Sequence, residues 1–585
     1  MPAWCMLAWH VSRYWPFIAD DALISLRYAQ RLTDGAGLTW TVGVPVEGYS
    51  NLLWVLGCAG LGALSVDLIT AARVLGMAGM ALALACVALF ERPRDRAAYA
   101  GGALAAVHLA LIGAIGVWAI GGLEQPLVAG LLALGLWLAQ RLVEGADDAR
   151  TWPASCALAL LCLTRPDGAY LAALVGLGVI LARGVSLPSM RVAMRLGVWP
   201  VVAVLGQLAF RLAYYGDWVP NTARAKLALS SARLEQGWDY VFEAGVWYWP
   251  LALLVLPALR RPTRAMALIV VPLVGWLAYV VFIGGDIFPG RRHMVPAVVC
   301  LALLGSVALT RGLRGPRDAD TRRKLVSATL TTMLAMVAMG WQWRLTAQDP
   351  ANHRAVEERW EWDGQVVGHL LGDAFRSEQP LVAADPAGCI PYFSELPALD
   401  LLGLNDRYLA THPPPDFGRG FLGHELGDGD YVWSQTPDLL LFCGPHGSDR
   451  GCFRSGHELR ARPDFRAHYQ LVTFEGREPY AVRSQVWVRR DGRVGVRTGS
   501  DGERHVPGFL LTGPGVVAAL DAEGQIAAEL PAGATAVLDL RGVDGSWSAA
   551  LTSDVPLRAV VQQGRVVVFG GRRRAHVRAV VLTPR

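Results

Sequence analysis

Long apolar runs separated by short polar loops fill the first 343 residues of the chain. Runs long enough to cross a bilayer, or nearly so, lie at 1–18, 68–90, 98–118, 126–143, 153–163, 168–183, 196–215, 246–259, 265–283, 294–310 and 326–343. A further run at 52–64 has only 13 residues, which is short for a span of about 20 residues. We therefore predict eleven spans and interpret 52–64 as a juxtamembrane or re-entrant helix.

Basic residues are distributed unevenly between the two sets of loops that these spans create. One set holds 17 Lys and Arg residues and consists of 91–97, 141–152, 183–195, 260–264 and 311–325. The opposite set of short loops after the first holds six and consists of 119–125, 164–167, 216–245 and 284–293. Because loops rich in Lys and Arg stay in the cytoplasm, we predict a multi-pass inner (plasma) membrane protein whose carboxyl-terminal domain is extracytoplasmic.

Composition agrees with a membrane protein that carries a soluble part. Of 585 residues, 53% are hydrophobic and only 18% are charged, whereas soluble domains are about a quarter charged. The net charge is +5, and the basic residues lie between apolar runs rather than in one patch. This pattern argues against a nucleic-acid partner and in favour of the lipid bilayer.

The chain becomes charged and rich in Pro and Gly after Trp341. Residues 344–500 are expected to form a mixed α/β region, helical near 352–377, with short strands near 380–384, 438–442 and 484–489. Residues 501–585 alternate short apolar runs with Gly and Asp turns, which is typical of a β-sandwich. Cys443 and Cys452 flank a polar loop, and a disulfide between them is expected on the extracytoplasmic side.

Every unusual polar cluster of the first 343 residues falls on the predicted outer face. These clusters are Asp20–Asp21, "VEGYSN" (46–51), Glu124, "TRPDG" (164–168), "PNTARAK" (220–226) and "GGDIFPGRRH" (284–293). Polar groups at membrane depth are costly and usually face a functional cavity. Carboxylates beside basic residues suit a lipid-phosphate sugar donor, because a carboxylate can take the acceptor's proton. The basic groups, or a divalent metal, can stabilise the departing phosphate.

Five segments carry a resemblance to a known family. They are "DDALISLRYAQRLTDGAGLTWTVGVPVEGYSNLLW", "LTRPDG", "PNTARAK", "GGDIFPGRRHMVP" and "DPAGCIPYFSELPALDLLGLND" (385–406). In this order they resemble the bacterial GT-C glycosyltransferases related to the mycobacterial terminal β-(1→2)-arabinofuranosyltransferase. The resemblance implies a GT-C transmembrane catalytic domain over 1–343, a decaprenyl- or polyprenyl-phospho-sugar donor and a catalytic acidic motif in the first external loop. It also implies a carbohydrate-binding role for 501–585, for which a stabilising lid is the alternative.

Each polar cluster supplies candidate site residues. The catalytic candidates are Asp20, as general base, and Asp21, as metal ligand, orienting group or second carboxylate. The donor-phosphate candidates are Arg165, Lys226, Arg291, Arg292 and His293. The sugar and acceptor candidates are Glu47, Tyr49, Asn51, Glu124, Asn221 and Asp286. A divalent ion (Mg, Mn or Ca), if one is used, is expected at Asp20, Asp21 or Asp286.

Simpler structural roles remain open for several of these residues. Asp20 and Asp21 could only complement the dipole at the start of a helix, and Glu124 could be a helix-start acid. Arg165, which should lie at a helix boundary because Pro166 follows it, could pair with Asp167. Asp286 could bind sugar or metal, or hold Arg291 in place.

The expected function is therefore transfer of a sugar from a polyprenyl-phosphate donor to a cell-envelope glycan or glycoconjugate. The resemblance points to arabinofuranose as that sugar. Whether the anomeric configuration is retained or inverted stays open, since retention would call for a second carboxylate. A transporter or flippase of lipid-linked sugars and an envelope glycan-binding scaffold are the alternative functions.

Overall fold

The computed structural model describes residues 1–92, 95–144, 150–228, 230–256, 262–540 and 546–584. They form two units. Unit 1, which is helical, comprises Met1–Leu38, Tyr49–Glu358 and Gly418–Leu422. Unit 2, which holds the β-sheets, comprises Thr39–Gly48, Arg359–Phe417 and Gly423–Arg585. The division into 1–343, 344–500 and 501–585 stays a prediction, and Arg94, Arg260 and Arg261 of the predicted inner loops lie outside the described residues.

The helices of unit 1 follow the apolar pattern of the sequence. In chain order they are α1 (Pro2–Ser12), α2 (Asp20–Thr33), α3 (Leu52–Gly62), α4 (Leu68–Ala88), α5 (Arg96–Ala110), α6 (Gly113–Trp118), α7 (Gln125–Val143), α8 (Trp152–Thr164), α9 (Gly168–Arg183), α10 (Leu187–Tyr215), α11 (Asn221–Lys226), α12 (Ser231–Leu253), α13 (Arg264–Phe282), a 3-10 helix (Pro289–Met294), α14 (Val295–Arg314), α15 (Thr321–Gln348) and α16 (Pro350–Glu357).

Among the described residues, six helices are long and apolar enough to cross a membrane. They are Leu68–Ala88, Gln125–Val143, Leu187–Tyr215, Arg264–Phe282, Pro289–Arg314 and Thr321–Gln348. Helix α3 occupies the predicted juxtamembrane run. At about 1.5 Å per residue, its 11 residues are too short to cross. Several other apolar helices are shorter than a full span, and the count of eleven stays a prediction.

Two predicted runs differ from the helices that form. The run 98–118 is split into α5 and α6, with Ile112 in an extended conformation between them. The Leu111 carbonyl at this break accepts a hydrogen bond of 2.8 Å from the Thr346 hydroxyl. The predicted loop 216–245 is also partly wrong, because α12 begins inside it, where the Ser230 side chain caps the helix. The first turns of α12 carry charged residues and therefore escape a hydropathy criterion.

Unit 2 combines short helices with strands. The helices are α17 (Trp360–Phe375), α18 (Cys389–Ser394), α19 (Arg407–Thr411), α20 (Gly429–Ser434), α21 (Arg454–Ala461), α22 (Phe465–His468) and a 3-10 turn (Gly508–Leu510). The strands are β1 (Val382–Ala384), β2 (Ala398–Asp400), β3 (Leu439–Leu441), β4 (Tyr469–Gly476), β5 (Val482–Arg489), β6 (Arg497–Thr498), β7 (Arg504–Pro507), β8 (Val517–Leu520), β9 (Ile526–Leu530), β10 (Thr535–Asp539), β11 (Trp547–Ser553), β12 (Arg558–Gln562), β13 (Arg565–Phe569) and β14 (Ala575–Pro584).

The larger sheet of unit 2 runs in the order β2-β1-β3-β5-β4-β8-β9-β14-β7-β6, and β11 also pairs with β14. Strands β2, β1 and β3 are parallel, while β10, β13 and β12 form a separate antiparallel sheet. The strands predicted near 380–384, 438–442 and 484–489 are confirmed. A core around Phe442, Phe465 and Trp487 packs on this sheet, and the predicted disulfide joins Cys443 to Cys452.

Candidate active site

Helix α2 carries both predicted catalytic acids in its first turn. Ala19 occupies the N-cap position, so Asp20 and Asp21 are the first two helical residues. The dipole interpretation fits their position. Asp21 also forms an ion pair, in which the ammonium group of Lys226 donates a hydrogen bond of 2.9 Å to the Asp21 carboxylate. Lys226 is the last residue of α11, so two predicted clusters 205 residues apart meet at this ion pair.

A second ion pair lies next to the first. The guanidinium of Arg292 binds the carboxylate of Asp286 through two hydrogen bonds of 2.7 and 3.0 Å. Both side chains are more than nine-tenths buried, and the Arg292 guanidinium also lies 4.3 Å from the ring centre of Phe288. Arg292 and Asp286 both act electrostatically on Asp21. The structure therefore brings Asp21, Lys226, Arg292 and Asp286 into one cluster, which we call the acid–base cluster.

The charges of this cluster favour the ionised carboxylates. Removal from water disfavours a charged Asp21, but the nearby Lys226 and Arg292 outweigh that effect and hold the pKa of Asp21 below its usual range. Burial likewise opposes ionisation of Asp286, and Arg292 with its neighbours again holds the pKa of that carboxyl below its usual range. A carboxylate with a lowered pKa is a weak proton acceptor near neutral pH. Asp21 is therefore better suited to orient a basic group than to act as general base.

Arg165 joins two buried carboxylates. It lies in extended conformation at the end of α8, as predicted from Pro166. Its guanidinium contacts Glu124 at 2.6 Å and forms a two-pronged contact with Asp167, with distances of 2.9 and 2.8 Å. The simpler role suggested for Arg165, pairing with Asp167, is thus present in the structure.

Asn51 connects this arginine centre to α2. Its amide nitrogen donates to Glu124 at 2.7 Å and to the hydroxyl of Ser25 at 3.1 Å. Glu124 precedes α7 at its N-cap position but makes no capping hydrogen bond with its side chain. The Glu124 carboxylate is therefore used to bind Asn51 and Arg165 rather than to cap the helix.

Two contributors to these networks were missed by the sequence analysis. Ser25 lies one turn after Asp21 on α2, and that spacing could have pointed to it. The hydroxyl of Tyr279 donates to Asp167 at 3.2 Å. Tyr279 lies near the end of an apolar helix, where tyrosine is ordinary at a membrane surface, so nothing in the local sequence marks it.

The sequence suggests Asp286 as a residue that could hold Arg291 in place, but the structure gives Arg291 a different partner. Asp286 binds Arg292, whereas Arg291 forms a buried ion pair with Asp349. The physical reason is the backbone, because Gly290 and Arg291 both adopt left-handed conformations, with φ of 64° and 48°. The two neighbouring arginines thereby reach different carboxylates.

The remaining predicted residues are placed as follows. His293 is buried, and its carbonyl accepts a hydrogen bond of 2.7 Å from Trp276. Tyr49 is buried beside Tyr215, with 3.1 Å between the two hydroxyl oxygens. Asn221 is buried at the first position of α11. Glu47 is also buried but belongs to the segment of unit 2 that spans Thr39–Gly48.

No convergent metal-ligand set accompanies these ion pairs. Among the residues that the structure describes, no three His, Cys, Asp or Glu side chains form a group that could hold a metal ion. Asp21 and Asp286 already contact basic groups at hydrogen-bond distance. A divalent ion at Asp20, Asp21 or Asp286 therefore stays a prediction.

Comparison with protein families and solved structures found one family model and partial structural similarities. A family model described as a domain of unknown function (DUF8728) matches residues 352–495. Two solved structures are similar in part. ArnT from Cupriavidus metallidurans, bound to undecaprenyl phosphate, is 14% identical with a TM-score of 0.46, and the match covers 68% of this chain and 85% of ArnT. The archaeal oligosaccharyltransferase AglB from Archaeoglobus fulgidus is 12% identical with a TM-score of 0.40, and the match covers 68% of this chain and 64% of AglB. TM-scores below 0.5 do not assign the fold.

Two curated relatives are more similar in sequence. Both are terminal β-(1→2)-arabinofuranosyltransferases. The one from Corynebacterium glutamicum is 28% identical over 412 residues, which is 60% of this chain and 55% of the relative. The one from Mycobacterium tuberculosis is 28% identical over 421 residues, which is 63% of this chain and 64% of the relative. The resemblance found in the sequence is thus confirmed, and the match covers less than two thirds of either relative's length.

Proposed function

We propose that the chain is an integral-membrane glycosyltransferase that moves a sugar from a polyprenyl-phosphate donor to a cell-envelope glycan or glycoconjugate. The proposal places the reaction at the extracytoplasmic face. Arabinofuranose is proposed as the sugar because both curated relatives are named for its transfer. A glycan acceptor is proposed because the same names describe a terminal β-(1→2) linkage.

The acid–base cluster is the observation that supports this proposal most. Four ionisable groups from α2, α11 and the loop before α14 meet there, although each is costly to remove from water. Lys226 remains partly exposed, with 29% of its side chain accessible, so an incoming anion can reach it. In the proposed complex the donor phosphate binds Lys226 and Arg292 while Asp21 and Asp286 keep their contacts with these two cations.

The reaction proposed for the site consists of one displacement. Asp20, which is partly exposed at the first residue of α2, takes the proton of the acceptor hydroxyl. The hydroxyl oxygen forms a bond to the anomeric carbon, and the bond from that carbon to the phosphate oxygen breaks with its electron pair. The polyprenyl phosphate leaves with this extra negative charge, which Lys226 and Arg292 stabilise.

Asp21 has a different part in this scheme. With its lowered pKa it stays ionised and holds the Lys226 ammonium beside the donor phosphate. Arginine suits phosphate oxygens through its planar fork of N–H donors, and Arg292 has that fork fixed by Asp286 and Phe288. The two carboxylates thus position cations, while Asp20 handles the proton.

Sugar transfer by the purified full-length chain tests the proposal. The protein is placed in liposomes with radiolabelled polyprenyl-phospho-arabinofuranose and an arabinan oligosaccharide acceptor. We expect label in the acceptor and release of polyprenyl phosphate. Movement of the labelled lipid between leaflets without a new glycosidic bond would overturn the proposal in favour of a transporter. A parallel reaction with a polyprenyl-phospho-hexose decides the sugar.

A further inference from the structure

Helix α16 holds the loop that carries Asp286 and Arg292 at two points. The carboxylate of Asp349, immediately before the helix, binds the guanidinium of Arg291. One turn into the helix, the guanidinium of Arg354 donates a hydrogen bond of 3.0 Å to the carbonyl of Ile287. The first contact is made by Arg291, the residue before Arg292, and the second by Ile287, the residue after Asp286. Neither Asp349 nor Arg354 belongs to the acid–base cluster itself.

The Asp349–Arg291 pair is the stronger of these two contacts. Asp349 is almost completely buried and Arg291 is about nine-tenths buried, so the pair is little screened by water. The other carboxylate near Arg291, that of Glu243, lies 3.6 Å away and is two-thirds exposed. Breaking a buried ion pair at one partner leaves an uncompensated charge, whereas an exposed one contributes little. Glu243 therefore does not substitute for Asp349.

Arg291 needs such a contact because its backbone is unfavourable for a side-chain-bearing residue. Its φ and ψ are 48° and 60°, the left-handed region that glycine enters most easily. A β-carbon on the preceding Gly290 would lie 2.9 Å from the side chain of Val117, so the turn is also closely packed. The left-handed turn separates the side chains of Arg291 and Arg292, and the Asp349 pair holds that turn in place.

Asp349 also fixes the helix that carries it. Its second carboxylate oxygen accepts a hydrogen bond of 2.9 Å from the backbone N–H of Ala351, which caps α16. Its own N–H donates to the Leu345 carbonyl at the end of α15, at 2.9 Å. A single buried side chain thus joins α15, α16 and the loop before α14.

We propose that Asp349 is a positioning residue for the donor phosphate, acting through Arg291 on the placement of Arg292. This inference rests on the proposed function, since it assigns Arg292 to the phosphate. Asp349 touches no substrate in this account. Its effect is to keep the left-handed turn at Arg291, and so to keep the Arg292 fork directed at Asp286 and the phosphate.

Asp349→Asn isolates the ion pair, because asparagine caps a helix about as well as aspartate. The matched control is Asp95→Asn. Asp95 also caps a helix, because it accepts a hydrogen bond of 2.8 Å from the N–H of Ala98. It also forms an ion pair with Arg314 at 3.0 Å, but this pair is exposed. Misplacement of a binding group can cost up to about 100-fold. We expect Asp349→Asn to weaken decaprenyl-phosphate binding about 10- to 100-fold and to leave the KM for the acceptor unchanged, with Asp95→Asn like wild type.

Hydrogen exchange provides a measurement that needs no substrate. We expect the amides of 287–294 to exchange faster in Asp349→Asn than in wild type, with no change there in Asp95→Asn. Asp349→Glu, which restores the charge, should recover part of both the exchange protection and the affinity. Unchanged exchange over 287–294 together with wild-type affinity in a folded Asp349→Asn protein would overturn the positioning role.

The two proposals fail in distinguishable ways. Absence of sugar transfer by wild type overturns the proposed function, while faster exchange in Asp349→Asn still supports the structural role of the pair. If Asp349→Asn does not fold, Arg354→Ala decides the matter, because it removes the hydrogen bond to the Ile287 carbonyl and the ion pair with Glu358 but leaves the Asp349–Arg291 pair in place. We expect that variant to show faster exchange at 287–290 and a smaller loss of lipid-phosphate affinity, and wild-type behaviour in both would contradict the inference.

Discussion

The buried carboxylates of the candidate site and those beside the parallel strands of unit 2 are stabilised in opposite ways. In unit 1, five acids at and around the candidate site have a basic partner within ion-pair distance: Asp21 with Lys226, Glu124 and Asp167 with Arg165, Asp286 with Arg292, and Asp349 with Arg291. In unit 2, Asp385 and Asp400 are buried just after β1 and at the end of β2. Among the described residues, no basic side chain lies within ion-pair distance of either.

Asp385 and Asp400 are held by amide groups instead. Asp385 accepts from the N–H of Cys443 at 2.6 Å, and Asp400 accepts from the N–H groups of Leu402 and Asn405, both at 2.8 Å. Burial outweighs these hydrogen bonds and raises the pKa of Asp385 to about 7 and that of Asp400 to about 6. The candidate site therefore keeps charge on its acids with cations, whereas burial at Asp385 and Asp400 favours the protonated acids.

The largest effect is expected at the proposed general base. We expect Asp20→Asn to fold and insert but to lower turnover about 100- to 10,000-fold, the usual contribution of a positioned base. The change keeps the size and hydrogen-bonding capacity of a helix-start residue, so an acid that serves only the helix would tolerate it. The measurement is initial transfer rate with purified protein. Asp34→Asn, an exposed acid at the other end of α2, is the control.

Near-normal transfer by Asp20→Asn would return the acid pair to a helix-start role. The search for the base would then move to Asp21, Glu124 or Asp286. Of these, Asp21 and Asp286 have lowered pKa values, which makes them weaker bases at neutral pH.

The second-largest effect is expected at Arg165, which forms ion pairs with both Glu124 and Asp167. Arg165→Met should leave Glu124 and Asp167 buried without a positive partner and destabilise the protein by about 3–5 kcal/mol, the usual cost of breaking a buried pair at one side. Thermal unfolding in detergent measures this. Arg314→Met, which breaks the exposed pair with Asp95, should cost only about 0–1 kcal/mol. Equal effects of the two substitutions would contradict the contrast between buried and exposed pairs.

The pH dependence of unit 2 sharpens the comparison further. Between the unfolded pKa near 3.8 and the folded pKa of about 7, folded Asp385 binds more protons than the unfolded chain does. The stability that Asp385 contributes is therefore fully present below pH 3.8 and is lost as the pH rises through 7, by an amount on the order of 4 kcal/mol. Asp385→Asn mimics the protonated acid.

Unfolding free energies from pH 4 to pH 8 test this expectation. The difference between wild type and Asp385→Asn should shift steadily in favour of the variant as the pH rises. A constant difference over this range would show that Asp385 keeps its charge in the folded protein and would remove the contrast with unit 1.

A smaller effect is expected from the disulfide of unit 2. Cys443 and Cys452 are nine positions apart, and closing so short a loop stabilises by about 2–3 kcal/mol in the chain-entropy description. Replacing both cysteines by serine should lower the unfolding free energy by that amount. Free thiols on Cys443 and Cys452 in protein purified without reductant, detected by mass spectrometry, would refute the pairing.

The sequence predicts the position of elements better than it predicts the partners of side chains. Apolar runs locate most helices of unit 1, and short apolar segments locate β1, β3 and β5. The amphipathic start of α12 and the break between α5 and α6 were missed, because hydropathy does not register charged helical turns or a single extended residue. The Asp21–Lys226 contact, between residues 205 positions apart, depends on tertiary packing and could be proposed only from shared topology.

The sequence also does not predict which buried acids have a basic partner. Asp286 and Asp385 both stand in quoted motifs beside glycine or proline, and nothing local tells which one has an arginine partner. The assignment of Arg292 rather than Arg291 to Asp286 depends on the left-handed turn at Gly290 and Arg291. Glycine allows that turn, but the sequence does not say that an arginine will follow in the same conformation.

Lipid-phosphate affinity tests the central claim most directly, namely that the charged acid–base cluster of unit 1 binds the donor phosphate. Decaprenyl phosphate in nanodiscs is titrated against wild type, Lys226→Ala, Arg292→Ala and a control, Arg578→Ala. Arg578 belongs to unit 2 and pairs with Asp521 at 2.6 Å. Loss of one charged hydrogen bond should weaken binding about 10- to 100-fold in Lys226→Ala and Arg292→Ala and leave Arg578→Ala unchanged. Equal affinity in all four proteins would contradict the account.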